Sequence, residues 1–134
     1  MYANISSYKM QTRVIFGINN IEMFPVELAK FQPERILLIM NAQIKQTQFF
    51  TKLRGILEKN SYSYIVFNKV LPEPEVDTVM EAYRLLVKND RNLNIAVGGG
   101  STIDVAKVAG IIATNEERPQ YYAGFNQFNN PPSP

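Results

Sequence analysis

Short apolar runs rich in β-branched residues recur along the chain, about 20 to 30 residues apart. Runs of this kind, bounded by polar and turn-forming residues, are typical of buried strands. The sequence therefore predicts strands at RVIFGI (13–18), RILLIM (35–40), YSYIVF (62–67) and LNIAVG (93–98).

Segments with helical periodicity lie between these runs. Residues 47–60 place apolar side chains three and four positions apart and begin at Thr47, a residue type that caps helix N-termini. Residues 75–89 carry one apolar stripe at the same spacing. A further helix is predicted to begin close to Pro25, because proline is tolerated in the first turn of a helix, and a last helix to span residues 101–113.

Alternating strands and helices, joined by connections too long for hairpins, indicate parallel strands with right-handed crossovers. The predicted fold is α/β: an open, Rossmann-like, mostly parallel sheet with helices on both faces. Residues 1–114 are expected to form this one domain. Residues 115–134 lose periodicity and collect Pro, Asn and Gln, which we interpret as a linker or a truncated end of a natural chain that continues.

Composition narrows the range of functions. Of the 134 residues 46% are hydrophobic, and the formal charge is +2 without a basic stripe, so nucleic acid and membrane surfaces are not expected as partners. The chain is predicted to be cytoplasmic, because its N-terminus lacks the apolar stretch of a secretory signal. It contains neither cysteine nor histidine, which excludes thiolate chemistry and histidine ligands to a metal. Catalysis by this chain alone would rely on carboxylates, Lys or Tyr.

The stretch NIAVGGGSTIDVAKVAG (94–110) places three glycines between the last predicted strand and the last predicted helix. Ligands of open α/β sheets bind at the carboxyl ends of strands, where a helix N-terminus offers free amides and a positive dipole to an anion. Ser101, with Asp104 three residues later, has the spacing of a capping box. The stretch predicts a phosphate site; the alternative is a tight turn that uses glycine for geometry alone. It fits neither the Rossmann G-x-G-x-x-G pattern nor a P-loop.

The segment GGGSTIDVAK resembles the GGGS-x-x-D-x-AK signature of the iron-containing (group III) alcohol dehydrogenases. Three earlier segments resemble the same family in order: VIFGINNIEMF its opening strand and glycine, RILLIMN its second strand, and FNKVLPEPEVDTV its V-x-P-x-P loop. The resemblance implies an N-terminal dinucleotide-binding domain whose cofactor is NAD or NADP. It also implies that a divalent metal, Fe or Zn, belongs to a C-terminal helical domain that supplies one Asp and three His. This chain alone is then expected to bind no catalytic metal and to have little or no activity.

The resemblance also implies roles for individual residues of the glycine stretch. Asp104 matches the Asp of the signature, and we favour a local capping role over a ligand contact. Lys107 matches its Lys, which either faces the cofactor phosphates or lays its stem over apolar surface. The residues that match the pyrophosphate-binding turn are Gly98, Gly99, Gly100, Ser101 and Thr102.

Residues outside the glycine stretch match the family less closely. Asn41 follows the second predicted strand, where many NAD-preferring members have Asp. Its amide can bond the adenosine ribose without repelling a 2′-phosphate, which leaves the choice between NAD and NADP open; Asn41 is equally a plain turn former. Pro74 matches a loop residue close to the cofactor. Three aromatic residues of the last segment are interpreted as an adenine platform or, preferably, as buried anchors: Tyr121, Tyr122 and Phe125.

The favoured interpretation is the cofactor domain of an enzyme that moves hydride between a small alcohol or aldehyde and a nicotinamide dinucleotide. Glycerol dehydrogenase and dehydroquinate synthase are related interpretations within the same superfamily. A stand-alone nucleotide-binding module is the alternative from another class, and a homo-oligomer is a candidate assembly.

Overall fold

The structure, a computed structural model, describes residues 12–115. In this part of the chain three parallel strands form one sheet in the order β2-β1-β3. The strands are β1 (Arg35–Met40), β2 (Ser63–Phe67) and β3 (Leu93–Val97), and the α-helices are α1 (Phe24–Ala29), α2 (Gln48–Lys59), α3 (Val76–Lys88) and α4 (Gly100–Asn115). Short 3₁₀ helices at Asn20–Met23 and Ala42–Gln46 precede α1 and α2. The prediction of an α/β fold with a parallel sheet is confirmed.

Local signals in the sequence set the starts of two helices. The Thr47 hydroxyl accepts a hydrogen bond from the Phe50 N–H at 3.2 Å, so Thr47 is the N-cap of α2, as predicted. Pro25 lies in the first turn of α1, where its missing N–H costs no hydrogen bond. The helix predicted over 75–89 is observed as α3.

The strand predicted at residues 13–18 is wrong, because this segment is not part of a strand in the structure. Phe16 and Ile18 are 98% and 97% exposed, and within residues 12–115 no strand pairs with the segment. The Asn20 side-chain amide donates to the Ile15 carbonyl at 3.0 Å, a local bond in place of a ladder bond. The left-handed Asn19 (φ 56°) then turns the chain toward α1. A short apolar run alone was therefore not enough to form a strand.

The central strand β1 separates two hydrophobic cores. Its residues from 36 to 40 are fully buried, and they alternate between the two faces of the sheet. Leu37 and Ile39 pack with α3 and α4, whereas Ile36, Leu38 and Met40 pack with α1 and α2. The chain therefore places helices on both faces, as predicted.

The strand order reverses direction at β1. The chain passes from β1 to β2 on one side through α2, and then returns through α3 to β3 on the other side of β1. In open α/β sheets the loops diverge at such a reversal and leave a crevice at the carboxyl ends of the strands. This crevice lies between the end of β1 and the start of α4.

Candidate functional site

An open cleft of about 270 Å³ occupies the crevice. Three segments wall it, each directly after a different strand: residues 41–43 after β1, residues 68 and 70–72 after β2, and residues 99–102 after β3. None of these lining residues carries a charged side chain. The cleft can therefore recognise a ligand by hydrogen bonds and apolar contacts rather than by ion pairs.

Gly98 is a glycine for a structural reason. Its φ of 153° is one that side-chain-bearing residues rarely adopt, and a Cβ built there would lie 2.7 Å from the Thr102 hydroxyl oxygen. Thr102 is itself buried, with 2% of its surface exposed. The close approach of these two residues fixes the turn from β3 into α4.

Within residues 12–115, Gly99 and Gly100 have no such reason. A Cβ added to either glycine meets nothing within 4 Å, and both glycines line the cleft. The Gly99 carbonyl accepts from the N–H groups of Thr102 and Ile103, both at 3.1 Å, and so begins α4. In the described part of the chain, the N–H groups of Gly100 and Ser101 have no hydrogen-bond acceptor. The turn thus presents free amides beside open space.

The predicted capping box of Ser101 and Asp104 is not formed. Because α4 begins at Gly100, Ser101 lies inside the first turn, and Gly99 occupies the N-cap position. Asp104 is exposed and makes no hydrogen bond to Ser101. The physical reason is that the helix begins earlier than the Ser101 start the sequence suggested, which removes Asp104 from the position that reaches back to a cap. The preferred capping role for Asp104 is therefore wrong.

Asn41 is confirmed as a turn former and also lines the cleft. Its side-chain oxygen accepts from the Ile44 N–H at 3.1 Å and caps the 3₁₀ helix that follows β1. This bond identifies the oxygen, so the amide NH₂ is the group left for a ligand. Contact of Asn41 with a ribose remains a prediction.

The loop after β2 contributes cleft residues that sequence reasoning missed. Asn68, Leu71 and Pro72 line the cleft, and the Val70 N–H donates to the Met40 carbonyl at 3.3 Å, which holds the loop against the end of β1. The available signal was Asn68 itself, a polar residue directly after a strand, like Asn41. Pro74 was predicted close to the cofactor but is not among the residues that line the cleft.

Two further predicted residues are not brought to the cleft. Asp104 and Lys107 lie farther along α4, and both are exposed. The position of Lys107 agrees with the interpretation that its charge stays in water. The aromatic residues Tyr121, Tyr122 and Phe125 lie outside the described residues.

The groups with displaced pKa values do not line the cleft. A hydrogen bond from Lys30 is the main cause that lowers the pKa of the Glu27 carboxyl. Burial, followed by a hydrogen bond to Glu58, raises the pKa of Tyr64. Across residues 12–115 no three His, Cys, Asp or Glu side chains converge on a point that could hold a metal ion.

Comparison with known proteins identifies the family of the chain. The family described as "Iron-containing alcohol dehydrogenase" matches residues 11–134 of the chain. The chain belongs to this family. It is 35% identical over 101 residues to NADH-dependent butanol dehydrogenase B of Clostridium acetobutylicum, a match over 75% of this chain and 26% of that protein. It is 32% identical over 110 residues to choline dehydrogenase of Bacillus subtilis, over 82% of this chain and 27% of that protein.

Two solved structures have a similar fold. The crystal structure of 1,3-propanediol oxidoreductase matches with a TM-score of 0.81 at 26% sequence identity. The match covers 88% of this chain and 31% of the oxidoreductase chain. The alcohol dehydrogenase of Oenococcus oeni has a TM-score of 0.81 at 28% identity, over 90% and 32% of the two chains. The chain thus spans 26% to 27% of the length of the two curated relatives.

Proposed function

We propose that this chain is the NAD(P)-binding part of an iron-type alcohol dehydrogenase, which transfers hydride between a small alcohol or aldehyde and a nicotinamide cofactor. Membership of the family and the names of the relatives support this class of reaction. The dinucleotide, when bound, supplies the hydride chemistry. The chain's own residues bind and orient the dinucleotide.

The proposal rests mainly on Gly99 and Gly100, because nothing in the described part of the fold requires glycine at these two positions. Gly99 and Gly100 leave open space on the cleft side, and the amides of Gly100 and Ser101 are free. A diphosphate is an anion that accepts such hydrogen bonds, and the dipole of a 16-residue helix favours it at this end. The Ser101 side chain also lines the cleft, so its hydroxyl adds a further donor.

The adenosine half of the cofactor then extends over the end of β1. Asn41 follows β1, lines the cleft and keeps its NH₂ group free for a ribose hydroxyl. We propose no metal ligand among residues 12–115, where no three His, Cys, Asp or Glu side chains converge. We further propose that residues 1–114 are the dinucleotide-binding domain, that 115–134 lead on from it, and that the chain alone has little or no activity.

The cell compartment and the assembly are proposals as well. We propose a cytoplasmic protein that forms homo-oligomers. No helix within residues 12–115 is long and apolar enough to cross a bilayer.

The proposal is tested by calorimetric titration of the chain with NAD. We expect saturable binding to the wild type and none to Gly99→Asp, because the carboxylate fills the open space and repels the diphosphate. Asp is a good N-cap residue, so the variant should be at least as stable as the wild type. Circular dichroism of the variant checks that it is folded, so that a loss of binding is not due to unfolding.

The matched control is Gly55→Asp. Gly55 lies on an exposed part of α2, away from the cleft, and an added Cβ there also meets nothing within 4 Å. This variant should bind NAD like the wild type. A folded wild-type chain that binds no NAD, or equal binding by Gly99→Asp, would contradict the proposal.

A further inference from the structure

The two asparagines that line the cleft, Asn41 and Asn68, differ in their hydrogen bonds to the rest of the protein. The side-chain oxygen of Asn41 is already bonded to the Ile44 N–H. Asn68 is half-buried in the cleft wall, and its carboxamide has no hydrogen-bond partner in the described part of the chain. The carboxamide is not enclosed by the protein, because its nitrogen and oxygen are not among the buried side-chain atoms that lack a partner. Both its donor and its acceptor are therefore available to a ligand.

The order of the strands places Asn68 at a defined distance from the glycine turn. With strands about 4.8 Å apart, the end of β2 lies roughly 10 Å from the end of β3, with β1 between them. A dinucleotide whose diphosphate meets the amides at α4 and whose ribose meets Asn41 brings its adenine ring to the end of β2. This step rests on the proposed function.

We propose that Asn68 recognises the adenine ring of the bound dinucleotide. Its oxygen accepts from the adenine amino group, and its NH₂ group donates to the neighbouring ring nitrogen N7. A carboxamide is the side-chain group that matches this edge of adenine with two hydrogen bonds. Asn68 is thus a specificity-determining residue of the cofactor site.

The surroundings of Asn68 favour this assignment. Leu71 and Pro72 line the same cleft and supply an apolar surface for the face of the ring, and Leu71 is 68% exposed without a ligand. The next residue, Lys69, turns away from this cleft and pairs with Glu81 at 2.8 Å. Asn68 is therefore the polar side chain at the end of β2 that can contact a ligand in the cleft.

The test compares NAD with nicotinamide hypoxanthine dinucleotide, in which an oxygen replaces the adenine amino group. The wild-type chain should bind NAD about tenfold more tightly, because Asn68 can satisfy only one of the two groups on hypoxanthine. Asn68→Leu, which keeps the approximate size and removes both polar groups, should bind the two dinucleotides equally. Asn68→Ala is the second variant, and circular dichroism checks that both fold.

Asn94→Leu is the matched control, because Asn94 is half-buried like Asn68, lies in β3 away from the cleft, and has no side-chain hydrogen bond within residues 12–115. It should keep the wild-type preference. Suppose that the wild type binds NAD, that Gly99→Asp does not, and that Asn68→Leu keeps the wild-type ratio of NAD affinity to hypoxanthine dinucleotide affinity. The role of Asn68 is then refuted, and the proposed function stands. If the wild type binds neither dinucleotide, the proposed function fails and the role of Asn68 fails with it.

Discussion

At the level of single residues, two neighbouring glycines serve opposite purposes. Gly98 makes room for Thr102 and adopts a φ of 153°, so the folded protein requires it. Gly99 borders open space in the described part of the chain, which leaves room for a ligand. The same residue type therefore has a folding role at one position and a proposed binding role at the next.

This contrast predicts different effects of the same substitution. Gly98→Ala should lower the free energy of unfolding by about 1–3 kcal/mol, because the new Cβ overpacks against Thr102 and the backbone conformation is strained. Gly99→Ala should cost less than about 1 kcal/mol and should weaken NAD binding instead. Urea denaturation and titration of both variants measure these effects. Equal losses of stability would contradict the assignment.

The sequence located this turn but did not distinguish its glycines. The signature gave the position of the cluster, whereas the role of Gly98 depends on where the Thr102 side chain lies in three dimensions. Asn68 was missed for a related reason: an asparagine after a strand is an ordinary turn former, and only the order β2-β1-β3 brings it into the cleft.

At the level of elements, local signals were predicted more accurately than pairing. The N-cap of α2 depends on the four residues from Thr47 to Phe50, and it formed as expected. The apolar runs at 35–40, 62–67 and 93–98 contain the three strands of the sheet, whereas the run at 13–18 pairs with no strand within residues 12–115. A strand needs a partner from elsewhere in the chain, and an apolar run by itself does not reveal whether that partner exists.

One contact between elements should give a measurable pH dependence. The Tyr64 hydroxyl of β2 donates to the Glu58 carboxylate of α2 at 3.2 Å. Because burial and this hydrogen bond raise the pKa of Tyr64, its contribution to stability is present below its ordinary pKa of about 10 and is lost as pH rises through the raised value.

Tyr64→Phe should therefore reduce the loss of stability at alkaline pH. Urea midpoints of wild type and variant, measured at about pH 8 and about pH 11, give the comparison. The wild type should lose more stability between these values than the variant does. Parallel curves would show that this contact does not titrate.

At the level of the whole molecule, the charged side chains of residues 12–115 lie outside the cleft. The sequence has 14 basic and 12 acidic residues, and none of those within residues 12–115 lines the cleft. The described ion pairs, such as Arg13 with Glu27 and Lys69 with Glu81, lie elsewhere on the surface. We therefore expect these lining residues to give no strong electrostatic preference between NAD and NADP.

A single carboxylate should create that preference. Asn41→Asp keeps the oxygen that caps the 3₁₀ helix, so stability should change little. The carboxylate accepts from ribose hydroxyls but repels a 2′-phosphate, and the ratio of NADP to NAD affinity should fall about tenfold at low salt. Titrations with both dinucleotides measure the ratio, and an unchanged ratio would place the ribose away from Asn41.

The central strand β1 also determines how the domain unfolds. Its alternate side chains belong to two different cores, with Leu37 and Ile39 on one face and Ile36 and Leu38 on the other. Neither core can open without exposing the backbone that supports the other, because the two share one layer of peptide groups. The two cores should therefore melt together, in one cooperative transition.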